Sequence, residues 1–332
     1  MAIRLKDIAD ATGFSINTVS RAINKSPDVS EKTRKIIESA AKNMGYVSNS
    51  AAKRLRTGKS NTFALILDNF INPHFSIIAD EISLYASELG YNVIIYTSSG
   101  NTAKEERAIQ SAIENCVDGI ILCPTRDSSD NVRFMKNMKI PFILIARSFN
   151  WFDDCSYAVF DESRTGFIAA EHLILNGCRK IMSIVSEYSD VSDIASAPTI
   201  AGIFNAHQTY GLPFNPDAAF SVSLNIRSQA EEVRRIINKA PNYDGIICGN
   251  DVIALMADSI LSSRNISVPI IGFGNIRKHL PFCSSITSID CSKQSLSVCC
   301  VDSLMQLIEG GDIQQHTLPV RLIKTDSTNN GI

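Results

Sequence analysis

Residues 15–24 place hydroxyl, amide and guanidinium groups on one face of a short predicted helix. At helical spacing that face is formed by Ile16, Asn17, Ser20, Arg21 and Asn24. Asparagine can pair bidentately with adenine, arginine can do so with guanine, and an apolar side chain can touch the thymine methyl group. These side chains therefore predict a helix that reads the major groove of DNA. The alternative, an ordinary helical hairpin in a core, does not explain so polar an outer face.

Two short helices separated by a tight turn would position this face. The first has an apolar stripe of Leu5, Ile8, Ala9 and Thr12, and the second has an inward stripe of Val19, Ala22 and Ile23. Gly13 can take a positive φ and end the first helix, and the Ser15 hydroxyl can cap the second. The pattern predicts a helix-turn-helix with its recognition helix at 15–24.

A third helix is predicted from Ser30 to Gly45. Its apolar face would consist of Ile36, Ile37, Ala40, Ala41 and Met44. In the following segment, 49–60, Leu55 is the only large apolar residue, and it is surrounded by Lys53, Arg54, Arg56 and Lys59. A lone leucine cannot build a core. Leu55 is therefore either an exposed residue of no consequence or a wedge for a partner, and the surrounding cations favour DNA.

From Thr62 onward, strand-like and helix-like stretches alternate. The first half has predicted strands at 63–67, 93–96, 119–123 and 142–146, with helices at 75–89, 103–115 and 128–138. The alternation restarts at Asp161, and 243–248 repeats the form of 117–122. This predicts two similar, doubly wound α/β lobes with parallel sheets. A small ligand would bind between them, at the carboxyl ends of the strands.

Length and charge limit the classes of protein to consider. The chain has 332 residues, 45% of them hydrophobic, which suits two or three globular domains. Residues 1–60 hold 12 Lys or Arg and 5 Asp or Glu, a net of +7, while the remaining 20 basic and 29 acidic residues give −9. Only the N-terminal part is therefore expected to meet a polyanion. There is no membrane-length apolar run or export signal, so we expect a cytoplasmic protein without a membrane partner.

Cysteine usage and motif spacing argue against cofactor chemistry. The nine cysteines are scattered and form no Cys-x-x-Cys pair, which predicts reduced thiols and no metal site. The glycines at 272 and 274 lack the third glycine of a phosphate-binding loop, and no nucleophile elbow is present. We therefore expect no cofactor and no enzyme. A solute receptor or a small-molecule enzyme that uses only the α/β part is the alternative function.

Several motifs resemble one protein family. They are Lys6-Asp7-Ile8-Ala9, the Thr-Val-Ser-Arg of residues 18–21, Val29 to Arg34, Leu55-Arg56-Thr57-Gly58, Asn72-Pro73-His74-Phe75 and Asn250-Asp251. On these residues the chain resembles the LacI/GalR family of bacterial transcription regulators. The resemblance implies a small helix-turn-helix head on a body similar to a periplasmic binding protein.

The resemblance also implies boundaries and roles. The DNA-binding domain would be 1–48, a hinge helix and linker 49–60, and the effector and dimerisation domain 61–332. Lobe one would take about 61–160 and 290–318, and lobe two about 161–289 and 319–332. A homodimer would bind a palindromic double-stranded DNA operator, with Leu55 entering the minor groove. The implied DNA contacts are Ser15, Ile16, Asn17, Thr18, Ser20, Arg21, Asn24, Tyr46, Asn49, Arg54 and Leu55.

The implied effector cleft departs from the family pattern. Thr199 stands where family members often have an arginine that binds sugar hydroxyls, and Gly274 stands where they have an aspartate. Losing both groups removes two strong polyol contacts, so we expect a small-molecule effector other than a plain hexose. The cleft residues implied by the resemblance are His74, Phe75, Thr125, Ser148, Asp161, Thr199, Leu224, Asn250 and Gly274.

Overall fold

A computed structural model describes residues 3–46, 58–125, 127–147, 154–186, 197–223, 226–239 and 242–328. The chain divides into two compact units, Met1–Ser60 and Asn61–Ile332. We call the first unit the head and the second the body. Within the ranges given, no helix combines the length and the apolar character needed to cross a bilayer.

The described part of the head consists of three helices, α1 (Leu5–Thr12), α2 (Ile16–Ile23) and α3 (Glu31–Asn43). As predicted, Gly13 ends α1 with a φ of 74°, and the Ser15 hydroxyl caps α2 by accepting the Thr18 N–H at 3.1 Å. One small core joins the helices through Ile8, Ala9, Val19, Ala22, Val29, Ile37 and Ala41. Ile36 was wrongly predicted on the buried face, and it is 46% exposed. The fully buried stripe of α3 is narrow and runs through Ile37 and Ala41.

The body contains two α/β lobes, named here by their sheets. Lobe one begins with β1 (Thr62–Leu67), α4 (Pro73–Glu88), β2 (Asn92–Thr97), α5 (Thr102–Glu114), β3 (Gly119–Leu122), α6 (Ser129–Asn137), β4 (Phe142–Ile145) and β5 (Tyr157–Phe160). Lobe two follows with α7 (Glu162–Leu175), β6 (Ile181–Ser186), α8 (Pro198–Thr209), β7 (Ala219–Val222), α9 (Ile226–Lys239), β8 (Gly245–Cys248), α10 (Asp251–Ser262), β9 (Ile270–Phe273) and β10 (Thr287–Cys291). The chain then forms α11 (Lys293–Ile308), β11 (Gln315–Leu318) and β12 (Val320–Ile323).

Each sheet has six described strands. The order in lobe one is β11-β5-β4-β3-β1-β2, and every pairing is parallel. The order in lobe two is β12-β10-β9-β8-β6-β7, in which only β12 runs antiparallel to its neighbour. The expected architecture, a small helical head and a body of two doubly wound lobes, is confirmed.

The chain passes between the two sheets three times, after β5, after β10 and after β11. Helix α11 follows a strand of lobe two, but its Leu296, Val301 and Leu304 pack in the core of lobe one. The carboxyl ends of β5 and β10 therefore lie where the chain leaves one lobe for the other. Residues at these two points belong to the cleft between the lobes.

Two glycines allow α7 and α8 of lobe two to cross at close range. A Cβ atom added to Gly202 would lie 1.9 Å from the Ser163 carbonyl oxygen. A Cβ added to Gly166 would lie 1.9 Å from the Thr199 carbonyl oxygen. Both clashes are with backbone, which a rotamer change cannot relieve, so any larger residue must push the helices apart.

Gly202→Ala is therefore expected to destabilise the body by about 2–3 kcal/mol, the upper range for overpacking. Thermal unfolding of the full chain would show this as a lower Tm. Gln208→Ala, an exposed change on the same helix, is the control and should leave Tm nearly unchanged. Equal Tm values for Gly202→Ala and the control would contradict the close crossing.

Candidate functional site

The outer face of α2 is available to a partner. Val19 and Ala22 are fully buried in the head core, which turns the opposite side of the helix to solvent. Ile16 is 47% exposed although it is apolar. Asn17, Arg21 and Asn24 are exposed, and Thr18 and Ser20 are half-buried. The structure thus gathers the predicted base-reading residues on one accessible surface.

Two of these side chains already have partners within the head. Arg21 forms an ion pair with Asp28, which also accepts a hydrogen bond from the Ser26 hydroxyl. The Asn24 side-chain amide donates to the Ser20 carbonyl at 2.6 Å. An exposed ion pair contributes only about 0.2–1 kcal/mol, so Arg21 can exchange Asp28 for another acceptor at small cost.

The remaining predicted DNA contacts follow α3. The Tyr46 N–H donates to the Ala41 carbonyl at 2.8 Å, and the Tyr46 side chain packs at the edge of the head core. Asn49, Arg54 and Leu55 lie outside the described residues, so their roles stay predictions.

Most of the predicted effector residues lie near the carboxyl ends of strands or in the first turn of the next helix. In chain order these are His74 and Phe75 at the start of α4, Thr125 after β3, Asp161 after β5, Asn250 after β8 and Gly274 after β9. Thr199 lies in the first turn of α8. Ser148 and Leu224 lie outside the described residues.

Four aromatic or glycine positions from the two lobes meet in the cleft. His74 and Phe75 belong to lobe one, and Phe273 and Gly274 belong to lobe two. The His74 ring centroid lies 5.4 Å from that of Phe75 and 6.2 Å from that of Phe273. The His74 Nδ1 atom is 3.6 Å from the position of a Cβ added to Gly274.

Three predicted polar contacts use their side chains locally. Asp161 caps α7 by accepting the Arg164 N–H at 2.8 Å. Asn250 caps α10 at the Ile253 N–H, at 2.9 Å. The Thr125 hydroxyl is almost fully buried and lies 3.2 Å from the Thr102 hydroxyl. Each of these side chains therefore already makes a hydrogen bond within the protein, and a ligand would have to use its remaining donor or acceptor capacity or displace that bond.

Sequence reasoning missed a buried ion pair in lobe one. Asp68 follows β1 and Arg147 follows β4, and their oxygen and nitrogen atoms are 3.0 Å apart. Arg147 also donates to the Pro124 carbonyl at 2.9 Å, and its guanidinium carbon is 5.8 Å from the Phe75 ring centroid. Both residues follow predicted strands, so their position was a usable signal, although their pairing was not.

Two charged residues beside Gly274 were also missed. The Asp251 carboxylate accepts the Ser288 hydroxyl and the Ile276 N–H, both at 2.7 Å. Lys293, the first residue of α11, donates from Nζ to the Gly274 carbonyl. The Asn250-Asp251 motif was a signal that could have identified Asp251. Nothing in the sequence indicates that Lys293 is buried.

The environment of the cleft changes the ionisation of two residues. Burial, together with the positive charges of Lys293 and Arg147, lowers the pKa of His74 to about 3. Its imidazole is therefore neutral near pH 7 and can both donate and accept a hydrogen bond. Burial raises the pKa of Glu162 to about 7, against the opposing effect of Arg147.

Glu162 should consequently make stability depend on pH. An unfolded glutamate ionises near its ordinary pKa of 4.5, whereas the folded group ionises near 7. Between these values the native state binds more protons, so its contribution to stability falls as pH rises and stays low above pH 7. Glu162→Gln should raise Tm relative to the wild type at pH 8, with a smaller gain at pH 5. Glu114→Gln, at an exposed site on α5, is the matched control. An increase in Tm for Glu162→Gln that is the same at both pH values would refute the raised pKa of Glu162.

Comparison with known proteins agrees with this arrangement. The family model for bacterial regulatory proteins of the lacI family matches residues 4–49. The model for periplasmic binding proteins and the sugar binding domain of the LacI family matches residues 60–325. The regulator DegA of Bacillus subtilis is 30% identical over 283 residues, which cover 83% of this chain and 82% of DegA. The repressor PurR of Aliivibrio salmonicida is 25% identical over 313 residues, 92% of each chain.

Solved structures show the same fold. The Lac repressor dimer bound to operator and the anti-inducer ONPF superposes with a TM-score of 0.84 at 21% identity, over 99% of both chains. The regulator CelR in complex with cellobiose has a TM-score of 0.69 at 22% identity, over 98% of this chain and 99% of CelR. With the head and the body each matched by its family model, the chain belongs to the LacI family and is a DNA-binding transcriptional regulator rather than an enzyme.

Proposed function

We propose that the chain is a repressor that binds a palindromic operator as a homodimer and responds to a small molecule in the cleft. The observation that carries the proposal is the exposed face of α2, with amide and guanidinium groups above a buried Val19 and Ala22. The similar PurR is named a repressor, and the similar Lac repressor was solved as a dimer on its operator. A two-fold dimer would present two such helices to two half-sites.

Within this proposal the head residues divide by role. Ile16, Asn17 and Arg21 would read bases in the major groove, because they are exposed on α2 and carry an apolar group, an amide and a guanidinium, which can recognise base edges. Phosphate contacts would fix the register of the helix on the duplex without reading sequence. The phosphate contacts that we propose are Ser15, Thr18, Ser20, Asn24, Tyr46, Asn49 and Arg54.

Asn17→Ala and Arg21→Ala are each expected to weaken operator binding by about 1–3 kcal/mol, with little change on random duplex DNA. The operator would be selected from a random pool with the full chain, and affinities measured at several salt concentrations. Lys42→Ala, an exposed cation in the last turn of α3, controls for loss of charge alone. Equal losses on operator and random DNA would exclude both residues from base reading.

Leu55 is proposed to wedge into the minor groove between the two half-sites. Unstacking a base step costs a few kcal/mol, which is offset by closer phosphate contacts on the bent duplex. Paired hinges of this kind would be helical only when the body holds them side by side, so a shift of the lobes would release the operator.

Leu55→Ala should then leave folding and dimerisation intact while weakening operator binding at least tenfold, or about 1.4 kcal/mol. The DNA bend, measured by fluorescence energy transfer between labelled duplex ends, should decrease as well. An unchanged affinity together with an unchanged bend would eliminate the wedge.

The effector is proposed to be something other than a plain hexose. Thr199 and Gly274 provide neither a guanidinium nor a carboxylate for sugar hydroxyls. The cleft residues put forward as contacts are His74, Phe75, Thr125, Ser148, Asp161, Thr199, Leu224, Asn250 and Gly274. Of these, His74 and Gly274 have the strongest support, because they approach each other from opposite lobes.

A further inference from the structure

The ion pair between Arg21 and Asp28 lies at the outer face of α2. Arg21 is in the last turn of this helix, and Asp28 is in the turn that joins α2 to α3. The Arg21 side chain is 59% exposed and that of Asp28 is 36% exposed, so a partner of the head can reach both. An exposed ion pair contributes only about 0.2–1 kcal/mol to folding, so the stability of the head is a weak reason for its presence.

The carboxylate of Asp28 has one partner on each oxygen. The Ser26 hydroxyl donates to Oδ1, and the Arg21 Nη2 atom contacts Oδ2. The backbone of the same turn is attached to α2 by the Ser26 N–H, which donates to the Arg21 carbonyl at 2.9 Å. Asp28 is therefore held in a defined place relative to Arg21.

The turn is also attached to α3. Arg34 donates from Nη2 to the Ser26 carbonyl at 2.8 Å and to the Val29 carbonyl at 3.4 Å. The Val29 side chain is buried in the head core. A turn that is held by both neighbouring helices can in turn restrict a side chain that pairs with it.

Arginine has many rotamers, and only some of them place its guanidinium on a base edge. Fixing a free arginine side chain costs up to about 2 kcal/mol of conformational entropy. The pair with Asp28 removes part of this freedom before DNA binds. Because a guanidinium has five N–H donors and Asp28 is contacted through Nη2, Arg21 can keep Asp28 and still offer two donors to guanine O6 and N7.

The charge of Asp28 acts against DNA of any sequence. A carboxylate beside the outer face of α2 repels phosphates and so reduces the attraction that the cations of the head exert on every duplex. Asp28 therefore does not serve affinity in general. What it can raise is discrimination, by favouring the correct contact over the alternatives.

We propose that Asp28 is a positioning residue, which holds Arg21 for guanine and thereby sets the base preference at the operator position that Arg21 reads. This inference rests on the proposed function in one respect, that Arg21 reads a base in the major groove. With Asp28 in place, Arg21 meets guanine in a bidentate arrangement at a reduced entropic cost. Without Asp28, Arg21 would also reach phosphates and single acceptors on other bases, which discriminate poorly between sequences.

The test measures base preference as well as affinity. The full chain and its Asp28→Asn and Arg21→Ala variants would each select duplexes from a random pool, and affinities would be measured for the four base pairs at each operator position. Asparagine keeps an Oδ1 acceptor for Ser26 and removes the charge that attracts Arg21. Asp10→Asn, which removes an exposed carboxylate from α1, is the matched control.

The position that loses its preference for guanine in Arg21→Ala identifies the base pair that Arg21 reads. At that position, Asp28→Asn should lower the preference for guanine about threefold to tenfold, and the other positions should not change. Binding of Asp28→Asn to random duplex should not decrease, because the variant loses a negative charge. In the Arg21→Ala background, Asp28→Asn should change no base preference, since Asp28 acts through Arg21. Asp10→Asn should keep the wild-type preference at every position.

Three results would overturn the inference: Asp28→Asn keeps the guanine preference of the wild type, loses preference at every position alike, or shifts it equally in the Arg21→Ala background. A lower Tm with an unchanged preference would assign Asp28 to the stability of the head, since it lies two residues before the Ser30 cap of α3, and would overturn the inference as well.

The same measurements separate this inference from the proposed function. A loss of guanine preference in Arg21→Ala with none in Asp28→Asn would reject the role of Asp28 alone. Equal losses of operator and random binding in Arg21→Ala would instead reject base reading by Arg21, which belongs to the proposed function.

Discussion

The buried ion pair between Asp68 and Arg147 sets the electrostatic environment of the cleft. It joins the carboxyl ends of β1 and β4, with 3.0 Å between its atoms. Arg147 also faces the Phe75 ring, helps to keep His74 neutral and opposes the rise in the pKa of Glu162. Leaving one partner of such a pair buried alone costs about 3–5 kcal/mol, so the cleft needs both charges.

The path of the chain makes this cleft a place where a ligand can act on the whole body. His74 comes from lobe one, Gly274 from lobe two, and Lys293 begins the helix that passes from lobe two into the core of lobe one. A molecule that contacts all three favours whichever arrangement of the lobes brings them together. Such a molecule can shift the equilibrium between two arrangements of the lobes only by the difference between its binding free energies for them.

Local sequence patterns predicted much of the fold. Helical spacing in residues 5–23, the cap at Ser15 and the stop at Gly13 predicted the first two helices of the head. These interactions join residues that are close together in the sequence, so a local pattern reveals them. The apolar runs at 63–67 and 119–123 likewise predicted strands of a parallel sheet, which the structure has as β1 and β3. Ile36 was misplaced because periodicity alone cannot tell how wide the buried stripe of a helix is.

The cleft was less predictable because its contacts join residues that are far apart in the sequence. Asp68 and Arg147 are 79 residues apart, and Lys293 meets a carbonyl 19 residues before it. The end of a strand predicts where chemistry can lie, but it does not predict which charges are neutralised there. Thr125 and Asn250 show the reverse case, since their polar side chains already serve the protein's own hydrogen bonds.

Hydroxyl-radical footprinting of the full chain on a duplex selected from random DNA tests the central claim most directly. If α2 reads the major groove in a two-fold dimer, protection should fall in two symmetric half-sites about one helical turn apart, flanking a central minor-groove contact. A single unsymmetrical footprint, or protection that does not depend on the selected sequence, would contradict the account.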